Sequence, residues 1–289
     1  MTQIQFTAPT SVKAAVRCLA EGGKNPKILA GGTDLLVQLR AGRVKPSTIV
    51  DIKKIPELKQ IKAEKGGFRI GAAVAGAELS AHAAVKKAWP GLVEGFDLIG
   101  STQIQGRASL GGNLCNGSPA ADSVPALIAA DATCKIAGPK GTREAKVEAI
   151  ITGPGKTSLK KGEFVVSFFL PKRPKHSGDA YLRLIPRSEM DIAVVGAGVS
   201  LSIDSKGVCT DARVSLGAVA PKPLLVKAGA KALIGTKVDD AALEALAAAA
   251  REACNPIDDK RGTIVYRTKV AGVLARRAAL IALGRAQGK

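Results

Sequence analysis

The chain has 289 residues, of which 46% are hydrophobic and 23% are charged, a balance that supports a folded core and excludes an intrinsically disordered chain. Aromatic residues make up only 3%, so the core must be built from alanine and aliphatic side chains, and extended aromatic stacking surfaces are not expected. The net charge of +19 favours an anionic partner, but the basic residues are dispersed from Lys13 to Lys289 without a nucleic-acid motif, so nucleic acid is not the expected partner.

The first 75 residues predict strands separated by short connections. The apolar run Lys27–Ala30 ends at a glycine pair, and leucines at helical spacing follow it, which indicates a strand, a tight turn and a helix. Two more apolar runs, at Thr48–Ile52 and around Phe68–Val74, predict further strands.

The middle of the chain is predicted to change from helix to strand. The pattern is helical from Gly76 to Ser109, with Ser101 as a candidate N-cap, until Gly111-Gly112-Asn113 ends it. The stretch from there to Asp122 is predicted to be a loop. A short helix and two strands should follow, at Val124–Ala130, Thr133–Ala137 and Phe164–Leu170.

The last third of the chain predicts a hairpin followed by helices. Pro171–Gly178 is rich in proline and basic residues, and it is the clearest candidate for a domain boundary. Beyond it, Ile192–Ile203 and Val208–Val219 alternate like paired strands, with Asp204-Ser205-Lys206-Gly207 as their turn. Two helices are predicted after the hairpin, at Ala241–Ala253 and Thr263–Ala286.

The cysteines and histidines do not suggest a metal centre. The five cysteines include no C-x-x-C pair and no tight cluster, so neither a disulfide framework nor an iron–sulfur site is expected in this chain. His82 and His176 have no neighbours at metal-ligand spacing. With no signal-peptide pattern and no run of about 18 apolar residues, we expect a cytoplasmic protein without a transmembrane segment.

The segment Leu29-Ala30-Gly31-Gly32-Thr33-Asp34-Leu35 is a candidate phosphate site. Two consecutive glycines let a backbone approach a ligand closely, and free N–H groups at the start of the next helix favour an anion. The alternative is an ordinary strand-to-helix turn in which Thr33 or Asp34 caps the helix. The segment alone does not decide between the two.

A second segment, from Ser109 to Asp122, is also rich in glycine and in short hydrogen-bonding side chains. Such a segment can surround phosphates with backbone amides, and Asp122 could accept hydrogen bonds from sugar or polyol hydroxyls. The alternative is a structural loop whose Asn, Ser and Asp side chains satisfy their own backbone. Two such segments about 80 residues apart favour an extended dinucleotide over a single phosphate.

Two other nucleotide-binding motifs are incomplete. Gly196-Ala197-Gly198 begins like a Rossmann fingerprint, but it lacks the third glycine and lies inside a predicted strand. Gly155-Lys156-Thr157 ends like a P-loop, but the position of the first P-loop glycine is taken by Ile150. Neither motif is therefore expected to bind a nucleotide in its usual way.

The two glycine-rich segments together closely resemble the FAD-binding medium subunit of the molybdenum hydroxylases, the family of xanthine dehydrogenase and carbon monoxide dehydrogenase. Thr33-Asp34 after the glycine pair is more similar to the xanthine dehydrogenase branch, because the carbon monoxide branch typically has His-Ser there. Other similar segments follow in the family's order over nearly the whole chain: Gly153-Pro154-Gly155-Lys156-Thr157, Met190-Asp191-Ile192-Ala193, Gly217-Ala218-Val219-Ala220-Pro221 and Tyr266-Arg267.

The resemblance implies an α+β fold with two domains. Residues 1–175 would form a two-lobed FAD-binding domain of the vanillyl-alcohol-oxidase type (PCMH type), with lobes at about 1–60 and 61–175. Residues 176–289 would form a C-terminal α+β flavoprotein domain like that of carbon monoxide dehydrogenase.

The resemblance also implies where FAD would bind. Asp122 would lie near the polyol chain, and a residue within Tyr181–Arg187 or Lys222–Lys227 would approach the flavin. The FAD pyrophosphate would be held by Leu29, Ala30, Gly31, Gly32, Thr33, Asp34 and Leu35, together with Ser109, Gly111, Gly112 and Asn113.

By the same resemblance, this chain would transfer electrons rather than transform the organic substrate. A large partner subunit with a molybdopterin cofactor would hydroxylate an N-heterocycle or aldehyde, and a small partner subunit would carry two 2Fe-2S clusters. FAD would take electrons from these clusters and pass them to NAD or another acceptor, in a dimer of heterotrimers. No catalytic acid or base is then required of this chain.

Three alternatives stay open at the level of sequence. The first is a medium subunit of the carbon monoxide dehydrogenase type. The second is a free-standing FAD oxidase, which would need its own substrate pocket and catalytic base. The third is a scaffold that binds nucleotides or nucleic acid and uses the charge of +19.

Overall fold

The computed structural model describes residues 4–289, and its first lobe is built on a small parallel sheet. Three strands form this sheet in the order β1-β3-β2, and a helix lies in each of the two connections. Ser11 begins the first helix because its side-chain oxygen accepts a hydrogen bond from the Ala14 amide. The elements are β1 (Gln5–Thr7), α1 (Val12–Glu21), β2 (Lys27–Leu29), α2 (Leu35–Arg40) and β3 (Thr48–Asp51).

The second lobe is built on a five-stranded antiparallel sheet of order β4-β5-β10-β6-β7. Its strands are β4 (Ile61–Glu64), β5 (Gly67–Gly71), β6 (Thr133–Gly138), β7 (Gly141–Lys146) and β10 (Phe164–Pro171), and a small hairpin, β8 (Ile151–Gly153) and β9 (Lys156–Thr157), precedes β10. Six short helices lie between β5 and β6: α3 (Gly76–Ala81), α4 (Ala83–Ala88), α5 (Pro90–Asp97), α6 (Thr102–Gln105), α7 (Leu110–Cys115) and α8 (Ser123–Ala129).

Strand β10 separates two hydrophobic cores. Phe164 and Val166 pack with the first lobe, whereas Val165, Phe168 and Leu170 pack with the helices between β5 and β6. Neighbouring residues on a strand point to opposite faces of its sheet, and a register shift between Val165 and Ser167 brings Phe168 and Leu170 to the same face as Val165. One strand therefore supplies both cores. The two lobes consequently meet along the five-stranded sheet.

The C-terminal part is an antiparallel sheet of order β11-β12-β13-β14, covered on one face by the long helix α11 and on the other by α5 and α8. Gly272 of α11 lets this helix approach its neighbour α10 closely, since a Cβ there would be 2.9 Å from the Ala247 carbonyl oxygen. The elements are β11 (Ser177–Leu184), β12 (Val195–Ile203), β13 (Cys209–Gly217), β14 (Leu224–Leu225), α9 (Lys227–Leu233), α10 (Asp240–Glu252) and α11 (Ile264–Ala286). None of the helices within residues 4–289 is both long enough and apolar enough to span a membrane.

Most elements predicted from the sequence are confirmed, including the hairpin of β12 and β13. The Rossmann-like glycines lie inside β12, where Gly196 gives room to Tyr181 and Gly198 gives room to Pro125. One prediction is wrong, and one strand was not predicted. Gly111-Gly112-Asn113 does not end a helix but lies within α7, because Ser109 caps this helix and Gly111 packs against Ala72. Strand β11 was not predicted at all.

Candidate functional site

A cleft of about 640 Å³ lies between the small parallel sheet and the second lobe. It brings the two glycine-rich segments to one place. Ten of the predicted site residues line it: Ala30, Gly31, Gly32, Thr33, Asp34, Leu35, Ser109, Gly111, Gly112 and Asn113. Leu29 and Asp122 are not among the lining residues.

The turn after β2 requires both of its glycines. A Cβ on Gly31 would lie 2.0 Å from the carbonyl oxygen of Arg107, so the first segment packs directly against the backbone that leads into the second. Gly32 has a φ of 82°, in the left-handed region that side chains disfavour. The glycine pair therefore fixes both the shape of the turn and its contact with the second lobe.

The backbone amides after this turn are free to bind a ligand. Within residues 4–289, the amides of Gly32, Thr33, Asp34 and Leu35 donate no hydrogen bond to another residue. Asp34 is the N-cap of α2, but its side chain makes no capping bond. The alternative of a turn capped by Thr33 or Asp34 is thus not seen, and consecutive free amides at a cleft are a site for an anion.

The second segment is partly a structural element. The Ser109 side chain accepts a hydrogen bond from the Gly112 amide at 3.2 Å, and the Gly111 amide donates to the Ala72 carbonyl at 3.1 Å. The side-chain oxygen of Asn113 accepts from the backbone and hydroxyl of Ser123, at 3.3 and 2.7 Å. These bonds hold α7 rigidly at the cleft wall.

Contacts of the second segment with other elements join the walls of the cleft. The side chain of Gln38, in α2, donates to the Asn116 side chain at 3.0 Å. The Gly155 amide, in the turn between β8 and β9, donates to the Gly117 carbonyl at 2.9 Å. Loops far apart in sequence therefore form one continuous surface.

Several lining residues were not predicted from the sequence. Gly155 and Thr157 belong to a segment that resembles the family, and this resemblance could have identified them. For the others, no motif exists that could have signalled their position. They include Lys24, Lys27, Lys160, Lys161 and the half-buried Glu163.

Asp122 does not lie on the cleft wall. It is only 7% exposed, and its two carboxylate oxygens accept hydrogen bonds from the Tyr181 hydroxyl at 2.9 Å and from Arg183 at 2.8 Å. Burial raises the pKa of Asp122 to about 6, although the charge of Arg183 and the bond from Tyr181 act to lower it. The side chain connects the start of α8 to β11. The expected position of Asp122 near a polyol chain stays a prediction.

Cys115 lies at the cleft, but its thiol is not in the reactive thiolate form. Burial raises its pKa to about 12, so it is protonated at neutral pH, whereas the thiolate is the reactive form. A packing role agrees with this protonation state.

Comparison with known proteins identifies the family. The family model for the FAD binding domain in molybdopterin dehydrogenase matches residues 2–173, and the model for the CO dehydrogenase flavoprotein C-terminal domain matches residues 180–282. The chain belongs to the FAD-binding subunits of the molybdopterin dehydrogenases. It is therefore part of an oxidoreductase, and the α+β fold expected from the resemblance is confirmed.

Individual relatives of this FAD-binding subunit align over almost their full length. The putative xanthine dehydrogenase FAD-binding subunit of Escherichia coli is 32% identical, over 95% of this chain and 94% of the relative. The carbon monoxide dehydrogenase medium chain of Afipia carboxidovorans is 33% identical, over 98% and 97%. In a solved structure of carbon monoxide dehydrogenase from Hydrogenophaga pseudoflava, one chain is 33% identical and superposes with a TM-score of 0.94, over 98% of both chains.

The relatives do not separate the two branches of the family, since the identities are 32% and 33%. The preference for the xanthine dehydrogenase branch continues to depend on Thr33-Asp34. The boundary between residues 175 and 176 also stays a prediction.

Proposed function

We propose that this FAD-binding subunit carries electrons within a larger molybdenum hydroxylase assembly. The observation that carries the proposal is the cleft wall, where the free amides of Gly32 to Leu35 lie beside α7. These amides would hold the pyrophosphate of FAD, and Ser109, Gly111, Gly112 and Asn113 would form the adjoining wall. Leu29 would contribute indirectly, by placing the turn at the end of β2.

The residues fit the cofactor on physical grounds. Unbonded donors in a cleft favour a phosphate-bearing ligand, and a cleft of about 640 Å³ has room for an extended one. FAD supplies one-electron exchange with iron–sulfur clusters and two-electron exchange with an organic acceptor. The protein would supply orientation and electrostatics. Asp122 would contribute indirectly, because its hydrogen bonds with Arg183 and Tyr181 hold the start of α8 against β11.

We further propose the partners and the overall reaction. A large subunit with molybdopterin would hydroxylate an N-heterocycle or aldehyde, and a small subunit with two 2Fe-2S clusters would deliver the electrons to this chain. NAD or another acceptor would then take them. The assembly would be a dimer of heterotrimers in the cytoplasm, and names such as medium chain among the relatives support a multisubunit complex.

Two measurements test this function. The purified chain, reconstituted with FAD, should show a bound flavin spectrum, and a chain that retains no flavin would contradict the proposal. The complex isolated from native cells should contain molybdenum and iron together with this chain. A chain that purifies alone and oxidises an alcohol directly would favour the free-standing oxidase, and a complex reduced by carbon monoxide would favour the other branch.

A further inference from the structure

The cleft has a second end, which is lined by lysines. Lys24 and Lys27 stand before and at the start of β2, and Lys160 and Lys161 precede β10. None of the four takes part in an ion pair within residues 4–289. We call these four residues the lysine end.

The lysine end lies opposite the free amides. Strand β2 runs from Lys27 towards the glycine turn, and β10 runs from the lysines towards Val166, whose carbonyl binds the Ala72 amide beside Gly111. Lys27 and Gly32 are five positions apart, as are Lys161 and Val166. At about 3.3 Å per residue, the two ends can therefore be separated by up to roughly 16 Å. The lysines and the amides thus occupy different positions along one cleft.

The loops that carry these lysines are held in place. The Asn25 amide donates to the Ser47 hydroxyl at 3.3 Å, and the Lys160 amide donates to Glu163 at 2.9 Å. Arg143 binds both oxygens of Glu163 at 2.9 and 2.8 Å and is the main reason that the pKa of this carboxyl falls to about 2. The charge of Glu163 is thereby compensated.

The remaining charge at the lysine end is positive. Among residues 4–289, the only other carboxylate on the cleft lining is Asp34, which lies at the end with the free amides. A cleft lined by one sign of charge focuses its field and accelerates the entry of a ligand of opposite charge. The pyrophosphate of FAD is such a ligand.

We infer that the lysine end draws the pyrophosphate of FAD into the cleft, without holding it there once it is bound. This inference depends on the proposed function, because it assumes that FAD is the ligand. It assigns these lysines to the rate of cofactor capture, whereas the free amides determine the stability of the bound state. Removing the lysines should therefore slow association and leave dissociation unchanged.

The test uses the full chain freed of FAD and mixed rapidly with FAD, with flavin fluorescence as the signal. At about 10 mM salt, where charges act over about 30 Å, the variant K24Q/K27Q/K160Q/K161Q should bind about tenfold more slowly than the wild type. At about 1 M salt, where the range falls to about 3 Å, the two rates should agree within about twofold. The dissociation rates of the variant and the wild type should agree at both salt concentrations.

A matched variant controls for net charge. K65Q/K206Q/K231Q/K237Q removes the same charge from exposed positions away from the cleft lining, and it should associate nearly as fast as the wild type. Equal slowing in both variants would overturn the inference, and so would an effect confined to dissociation. Wild-type chain that binds FAD without salt dependence would overturn the inference alone, whereas wild-type chain that never binds FAD would overturn the proposed function as well.

Discussion

In the cleft, four consecutive amides from Gly32 to Leu35 donate no hydrogen bond within residues 4–289. By contrast, both carboxylate oxygens of Asp122 accept hydrogen bonds from Tyr181 and Arg183 of β11. We call this contact of Asp122 with β11 the junction. The two regions have a similar local setting, since each lies at the start of a helix, α2 in the cleft and α8 at the junction. Donors left free beside solvent are available to a ligand, while buried charges that are fully paired have their bonding groups occupied within the protein itself. Hydrogen bonding therefore separates the binding region from the structural one.

The largest effect is expected at the junction. Arg183→Met leaves the buried Asp122 carboxylate without its ion-pair partner, which typically costs about 3–5 kcal/mol. The free energy of unfolding, measured with urea, should fall by that amount. As a control, Arg276→Met breaks an ion pair in which Arg276 is 42% and Asp240 92% exposed, and it should cost at most about 1 kcal/mol. Equal losses in the two variants would show that the buried Asp122–Arg183 pair contributes no more than an exposed ion pair.

The next effect concerns the cleft. Gly31→Ala would place a Cβ 2.0 Å from the Arg107 carbonyl oxygen, so the turn must shift, at a typical cost of about 1–3 kcal/mol. If the turn holds the pyrophosphate, the Kd for FAD should rise by about 5- to 200-fold, as measured by titration of flavin fluorescence. Gly284→Ala is the control, because nothing lies within 4 Å of its added Cβ. An unchanged Kd in Gly31→Ala would contradict the assignment.

The pH dependence of stability should also reveal the junction. Because the pKa of Asp122 is raised from near 4 to about 6, the folded state keeps a proton that the unfolded state loses. The protonated Asp122 carboxyl therefore favours the folded state. This contribution to stability is present below pH 4 and is lost as the pH rises through about 6. Between these values the wild type should lose about 1–3 kcal/mol relative to Asp122→Asn, measured by urea unfolding at each pH. Parallel pH profiles would show that Asp122 does not titrate there.

The smallest effect is expected just outside the glycine turn. The Lys53 ammonium donates to the Ala30 carbonyl at 3.1 Å and to Asp51 at 2.8 Å, so it fixes the residue before the glycine pair. Losing such bonds costs about 0.5–1.5 kcal/mol, and Lys53→Met should raise the Kd for FAD by about two- to twelvefold. Lys54→Met, at an exposed neighbour, serves as the control. A rise of the same size in both variants would assign the effect to net charge.

Local patterns predicted many of the elements correctly. The turn from Asp204 to Gly207 forms between paired strands, and Asp204 fixes it by accepting hydrogen bonds from the Lys206 and Val208 amides at 2.8 Å. Strand β11 was not predicted because its residues Asp179, Tyr181 and Arg183 are polar or amphipathic and yet have buried side chains. Alternation of apolar and polar residues finds strands only when the polar face is solvated.

The sequence by itself determined the glycine turn at the cleft, because a left-handed φ at Gly32 and a contact that no Cβ permits at Gly31 both demand glycine. Only the tertiary structure decided the place of Asp122 and of the lysine end. Asp122 meets Arg183 across 61 positions of the chain, and Lys24 shares a cleft with Lys161 through strands from different sheets. Such pairings depend on how the sheets pack, and packing has no signature within a short window of sequence.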